Sequence, residues 1–183
     1  MIPPLPGPSD LADDVVRLRP WKLSDAPALA AAWQDVEIAA RLPVPGDRDR
    51  TAARRWIEGW EPRRRAGSAL DLVICESPDD DVCGEIGLSR IDMRTRAALI
   101  GWWLAAGSRG RGLASRAVLV MAQWALGSGW LDALVAEIDA DNERSLRLAT
   151  RCGFVQVRDE PRSPQAEGRQ AHVLRLSSLE PSA

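Results

Sequence analysis

Hydrophobic positions recur with two periods along this chain, and the switches between them lay out its elements. Val15–Leu18 alternates with a period of two and predicts a short strand. Ser24 or Asp25 can cap a helix running to about Gln34, with Pro27 in its first turn. Pro43 to Gly46 breaks the pattern, and Thr51 to about Arg64 predicts a second helix carrying Trp56 and Trp60. Leu70–Cys75 and Val82–Arg90 read as strands joined by a turn at Ser77–Asp81. Ala97–Leu104 is a nearly continuous apolar run, as expected of a strand covered on both faces. A helix follows from about Gly112 to Leu126, with Leu113, Ala117, Met121 and Trp124 along one face. Leu131–Asp139 is the next strand, and Asn142 caps a short helix that stops at Cys152-Gly153. Phe154–Arg158 and Ala171–Leu176 complete the strands.

The order strand, helix, strand, helix, strand from Ala97 to Arg158 implies helices on the faces of a sheet, while the flanking hairpins are antiparallel. The fold class is therefore α/β: a single domain with a mixed sheet of six to seven strands and about four helices. No repeat or linker divides it. Residues 15–183 form that domain, behind a loosely ordered, proline-rich arm over residues 1–14.

Composition narrows the function. A formal net charge of −2 excludes bulk electrostatic attraction to nucleic acid. Cys75, Cys83 and Cys152 show no metal-ligand spacing and have one histidine, His172, to help them, so free thiols in a reducing cytoplasm and no metal are expected. The N-terminal stretch lacks the basic region and apolar core of a signal peptide, and Gln123 interrupts the longest apolar run. A cytoplasmic protein that binds neither membrane nor nucleic acid is the expectation.

The most informative stretch is Ser108–Ser115, Ser-Arg-Gly-Arg-Gly-Leu-Ala-Ser, between the Ala97–Leu104 strand and the following helix. A glycine-rich turn into a helix N-terminus aims several N–H groups and the positive end of the helix dipole at one spot. Arg109 and Arg111 add forked cationic donors, so a diphosphate is the implied ligand. No Gly-Lys-Ser/Thr follows, as a P-loop requires, and Ser115 stands where a dinucleotide fingerprint needs its last glycine.

The spacing Arg109-x-x-Gly112-x-Ala114 resembles the acyl-CoA pyrophosphate loop of the GNAT (GCN5-related N-acetyltransferase) superfamily. A second stretch resembles that superfamily's other signature, a strand, then Asn-x-x-Ser opening a helix, then Gly-Phe: here Asn142, Ser145, Gly153 and Phe154. The combination is most similar to the Rim-type ribosomal-protein N-terminal acetyltransferases. The resemblance implies a V-shaped sheet whose Ala97–Leu104 and Leu131–Asp139 strands splay apart around acetyl-CoA. The pantetheine arm would pair with the backbone of Trp102, Trp103 and Leu104, and the pyrophosphate would rest on the amides of Arg109, Gly110, Arg111, Gly112, Leu113 and Ala114. Asn142 and Ser145 would complete the cofactor contacts.

Acetylating an amine requires a neutral amine and a proton for the leaving thiolate. Deprotonating an alkyl amine at pH 7 costs about 4–5 kcal/mol, an α-amine only about 1–1.5 kcal/mol. Glu137, on the strand before Asn142, is the expected base, a position where some Rim-type enzymes carry a catalytic glutamate; an ordinary strand glutamate is the other reading. The strand before the loop offers Leu99 or Ile100 where another familiar glutamate would stand, and Glu85 is a weaker substitute. The tyrosine that many GNAT enzymes use as proton donor would fall at Ala149, and the chain has no tyrosine. Ser145 is the expected donor, with helix capping as its other reading. The resemblance thus implies direct acetyl transfer to a primary amine, on a protein N-terminus or a small molecule; a chain that can form a homodimer is a separate expectation, which the sequence does not address. A GNAT-fold protein that senses acyl-CoA without turning it over is the alternative.

Overall fold

The computed structural model describes residues 11–127, 129–157 and 171–177. The first ten residues of the expected arm and Arg158 of the expected strand lie outside them. Leu11–Asp14 is tied down: Leu11 is buried, its carbonyl accepts from Leu18 N–H, and Asp13 accepts from the N–H groups of Val15 and Val16.

The strands are β1 (Val16–Arg19), β2 (Ala69–Glu76), β3 (Gly84–Asp92), β4 (Ala97–Leu104), β5 (Ala133–Asp139), β6 (Val155–Val157) and β7 (Ala171–Ser177). They form one sheet in the order β1-β2-β3-β4-β5-β7-β6, antiparallel except for β4 beside β5. The helices are α1 (Ala26–Gln34), α2 (Val36–Ala39), α3 (Arg50–Glu58), α4 (Trp60–Arg65), α5 (Leu113–Gly127) and α6 (Glu143–Arg151).

The second predicted helix is two pieces, α3 and α4, hinged at Gly59. Pro62 is the reason, since it has no N–H to close a helical bond on Glu58. A side chain at Gly59 would sit 2.8 Å from a guanidinium nitrogen of Arg63, which folds back there to the Trp56 carbonyl. Short α2 has no apolar period to reveal it. Asp35 nucleates it by accepting from the N–H groups of Glu37 and Ile38.

The pleat gives the sheet two unlike faces. One carries Leu18, Leu72, Ile86, Ile100, Leu134, Ala136 and Ile138, packed against Leu113, Ala117, Met121 of α5 and Ala149 of α6 in a hydrocarbon core. The other carries Val73, Cys75 and Trp103, packed against Leu29, Trp33, Ala53 and Ile57 of α1 and α3. On this second face the register also places Asp71, Glu85, Gly87, Leu99, Gly101, Glu137 and Asp139. Ala97–Leu104 is thus not covered throughout on both sides: Gly101 is exposed.

At the start of α1, Asp25 forms a buried pair with Arg19, the two side chains 6% and 10% exposed at 2.7 Å. Arg19 also meets the half-exposed Asp80 at 2.8 Å, but removing Asp25 would take away the buried partner of its guanidinium. Asp25→Ala is expected to destabilise the fold by about 3 kcal/mol, read as a lower urea midpoint with an unchanged slope.

Candidate active site

The site is built by a pairing that stops early. Parallel β4 and β5 are in register at Ala97–Ala133, Ala98–Leu134 and Leu99–Val135, and no further. Beyond Leu99, β4 continues to pair with β3 through Ile86–Trp102, Glu85–Trp103 and Gly84–Leu104. Beyond Val135, β5 continues beside β7 to Asp139. The two strands therefore part company, and the β4 edge from Ile100 to Leu104 faces a gap. Trp102 and Trp103 project to opposite faces and both serve as packing, Trp102 against the hydrocarbon core and Trp103 in the second one. What they offer the gap is their backbone.

At the end of β4 the chain turns through Ala106–Ser108 into the loop. Gly110 and Gly112 hold φ of 77° and 79°, a region that disfavours any side chain. Both are exposed, and a Cβ at either would meet nothing within 4 Å, so the turn leaves open space beside its backbone. Arg116 N–H closes the first bond of α5 on the Gly112 carbonyl, at 3.2 Å. The donors of Leu113 and Ala114 precede that ladder, as in any helix first turn.

The loop arginines point elsewhere. Arg109 donates through Nε to the Leu104 carbonyl at 3.0 Å and pairs with Asp35 at 2.7 Å and Glu37 at 3.0 Å. Arg111 pairs with Glu76. The loop's contribution is therefore chiefly its amides. At Asp35, burial pushes the carboxyl up, but the Glu37 N–H and Arg109 outweigh it and hold it low. Arg41, just after α2, reaches the opposite wall, pairing with Asp139 at 3.1 Å and Asp141 at 2.8 Å. The α2 segment is thus a strap joined to both sides of the gap. Arg147 is held by Glu143 at 2.7 Å, and Glu61 by Arg64 and Arg65, which bring its pKa to about 2.

On the β5 side, Asn142 caps α6 as its sequence position suggests, accepting from Ser145 N–H at 3.2 Å. Glu137 lies on the second face, next to the gap. Ser145 stands in the first turn of α6, partly buried. Cys152 is buried, with its Sγ donating to the Ser115 carbonyl, and burial pushes its thiol up, so it is a packing residue.

The sequence left Glu85 as a minor option, yet it is the most perturbed carboxyl of the second face. Trp21 and Trp103 each donate an indole N–H to it, at 3.0 and 3.1 Å and to different oxygens. Burial first, then the nearby charge of Asp71, push it up to about 8. Asp71 is itself raised by burial, against the pull of Arg63, whose guanidinium lies 3.3 Å from it. Arg63 also stacks 4.3 Å over Trp56. The signal for this group was the alternation of Asp71 with Leu70 and Leu72 and of Glu85 with Gly84 and Ile86, acids at positions that the pleat turns away from the hydrocarbon core.

A strand pair that opens midway, a glycine turn around empty space, and a capped Asn-x-x-Ser helix on the facing wall occur together here in one arrangement. Residues 16–155 match the family model described as an acetyltransferase (GNAT) domain. The chain belongs to the GNAT acetyltransferase family. An uncharacterised N-acetyltransferase p20 of Bacillus licheniformis is 28% identical over 165 residues, 88% of this chain and 91% of the relative. The ribosomal-protein-serine acetyltransferase of Escherichia coli K12 is 32% identical over 102 residues, 56% of each chain. Among solved structures, the microcin C7 self-immunity acetyltransferase MccE, in complex with acetyl-CoA and AMP, superposes with a TM-score of 0.78 at 22% identity, covering 90% of this chain and 93% of that one. In this GNAT domain no group of metal-ligating side chains occurs among the described residues, and no described helix is long and apolar enough to cross a membrane.

Glu85 also leaves a mark on stability. Its carboxyl is harder to ionise in the folded chain, with a pKa near 8, than at its ordinary value of 4.5. Folding therefore binds a proton between those values, and stability falls as pH rises from about 4.5 to about 8. Chemical denaturation across that window should show the decline, and Glu85→Gln should flatten it.

Proposed function

We propose that this GNAT domain transfers an acetyl group from acetyl-CoA to a primary amine, with a protein α-amine as the acceptor. The splay of β4 from β5 after Leu99 and Val135 carries the reading, because it leaves a strand edge that an extended pantetheine arm can pair with. The residues present fit the co-substrate. Ile100–Leu104 offers backbone groups along one side of the gap, and Gly110 and Gly112 open the space that a diphosphate needs beside the amides of Arg109–Ala114. Asn142 and Ser145 border the gap from the β5 side. Acetyl-CoA supplies the activated acyl group, and the chain supplies position, exclusion of water and proton management.

The acceptor would approach over the second face, where Gly101 is exposed and a side chain there would project into open space. Glu137 gives that approach a negative wall that draws in a cationic amine, and the Ser145 hydroxyl is the proton source for the departing thiolate. The relative named as a ribosomal-protein-serine acetyltransferase supports a protein acceptor, and an α-amine is the cheaper amine to deprotonate at neutral pH. The same relative supports a cytoplasmic location.

Thermal unfolding with acetyl-CoA, CoA, ATP and NAD at matched concentrations tests the donor assignment. A CoA species at 100 times its dissociation constant should stabilise the fold by about 2.7 kcal/mol, with no shift from ATP or NAD. Thiol release from acetyl-CoA in the presence of Ser- and Ala-initiated peptides then tests transfer. A CoA-dependent shift without thiol release from any amine would favour an acyl-CoA sensor.

A further inference from the structure

The second face of the sheet holds a feature that the family motifs do not account for. Gly87 and Gly101 are register partners on β3 and β4, so two neighbouring strands present bare backbone at the same level. A side chain at Gly101 would meet nothing within 4 Å, whereas one at Gly87 would stand 2.9 Å from an Asp71 carboxylate oxygen. A trough therefore crosses β4 and β3 from the open gap, and Asp71 closes its far end. Glu85 and Trp103 form one bank of it and Leu99 part of the other. The helices α1 and α3 cover Trp103 but leave Gly101 exposed and Glu85 partly exposed.

Glu85 is held for work in that trough. Its two oxygens each take one indole N–H, from Trp21 and Trp103, which are themselves stacked at 6.5 Å. Each carboxylate oxygen has a second lone pair, so the clamp fixes the group without exhausting it. In a sheet, diagonal neighbours on one face stand about 7–8 Å apart, and a glutamate side chain extends across much of that distance. A group resting on Gly101 is therefore within reach of Glu85. Glu137 faces the same space from the other wall.

Resting on the acetyltransferase reading above, we infer that Glu85 is the group that takes the proton from the acceptor amine. The amine nitrogen bonds to the acetyl carbonyl carbon and the carbon–sulfur bond breaks. Glu85 takes one proton from the ammonium before attack, and the proton that the nitrogen loses on bonding to carbon passes through the Ser145 hydroxyl to the leaving thiolate. Glu137 then attracts the amine and does not deprotonate it. The charged groups facing Glu85 are Asp71 from β2 and Arg63 from α4, with the Trp21 and Trp103 indoles as its polar contacts. They leave its carboxyl able to gain and lose a proton close to neutral pH, which a base for an α-amine needs.

The test compares Glu85→Gln, Glu137→Gln and the unaltered chain in acetyl-CoA turnover with Ser- and Ala-initiated peptides across pH 6 to 9.5. Glu85→Gln should lower kcat by about 100-fold or more, and abolish the rise of kcat/KM through about pH 8. Its acetyl-CoA thermal shift should match that of the unaltered chain. Glu137→Gln should chiefly raise the peptide KM and keep the rising limb. A second variant spares the carboxyl: Gly101→Val fills the trough and should abolish turnover. Glu85→Gln retaining kcat within a few fold and the same pH profile would overturn the assignment. So would loss of the limb in Glu137→Gln, or full activity in Gly101→Val. An absence of turnover in the unaltered chain would overturn the acetyltransferase reading itself, which none of these variant results would do.

Discussion

Everything distinctive about this domain follows from the brevity of one strand pairing. Adjacent parallel strands normally stay in register for their length, because each backbone group left unpaired must find water or another partner. Here β4 and β5 share three residue pairs and then diverge. The divergence is sustainable because each strand keeps an antiparallel neighbour on its other side, β3 for β4 and β7 for β5. Each wall is thus a stable hairpin-like unit, and the gap between them costs the fold only one edge on each side.

The two faces of the sheet divide the remaining labour. Branched aliphatic side chains from six strands meet α5 and α6 in a hydrocarbon core. That core can carry the stability, at about 25 cal/mol per Å² of apolar area buried. The opposite face can then accommodate carboxyls in poor solvation. Asp71 is placed against Arg63, and Glu85 is clamped by indoles, both arrangements that satisfy hydrogen bonds without fully relieving burial. A face assembled this way holds carboxyls that are hard to ionise, at a cost in stability as pH rises.

Local signals were legible in the sequence. The run Ala97–Leu104 emerged as β4 with those ends, the Asn142 cap and the Gly153 stop of α6 came from side-chain and backbone preferences, and the two glycines marked the turn into α5. Interactions between distant positions were not legible. Nothing near Arg109 says that Asp35 and Glu37 will hold it, because α2 is folded beside the loop only by the tertiary structure. The break at Gly59 was visible in Pro62, but the apolar period running through it read as one helix. Glu85 looked unremarkable among its neighbours. Its character arises from Trp21, Asp71 and Trp103, which come from three separate parts of the chain.

The indole clamp has an optical consequence. Trp21 and Trp103 hydrogen-bond directly to Glu85, and Trp21 makes an edge contact with Trp56 at 5.8 Å, which in turn meets Trp33 at 6.4 Å. Rings this close exchange excitation, so four of the chain's eight tryptophans form one coupled chromophore around the carboxyl. A charge appearing or vanishing at Glu85 changes the electric field on the two donor rings and hence the energy of their emission. The domain therefore carries its own reporter, in which the ultraviolet emission of the two donor rings responds to the charge on the carboxyl between them.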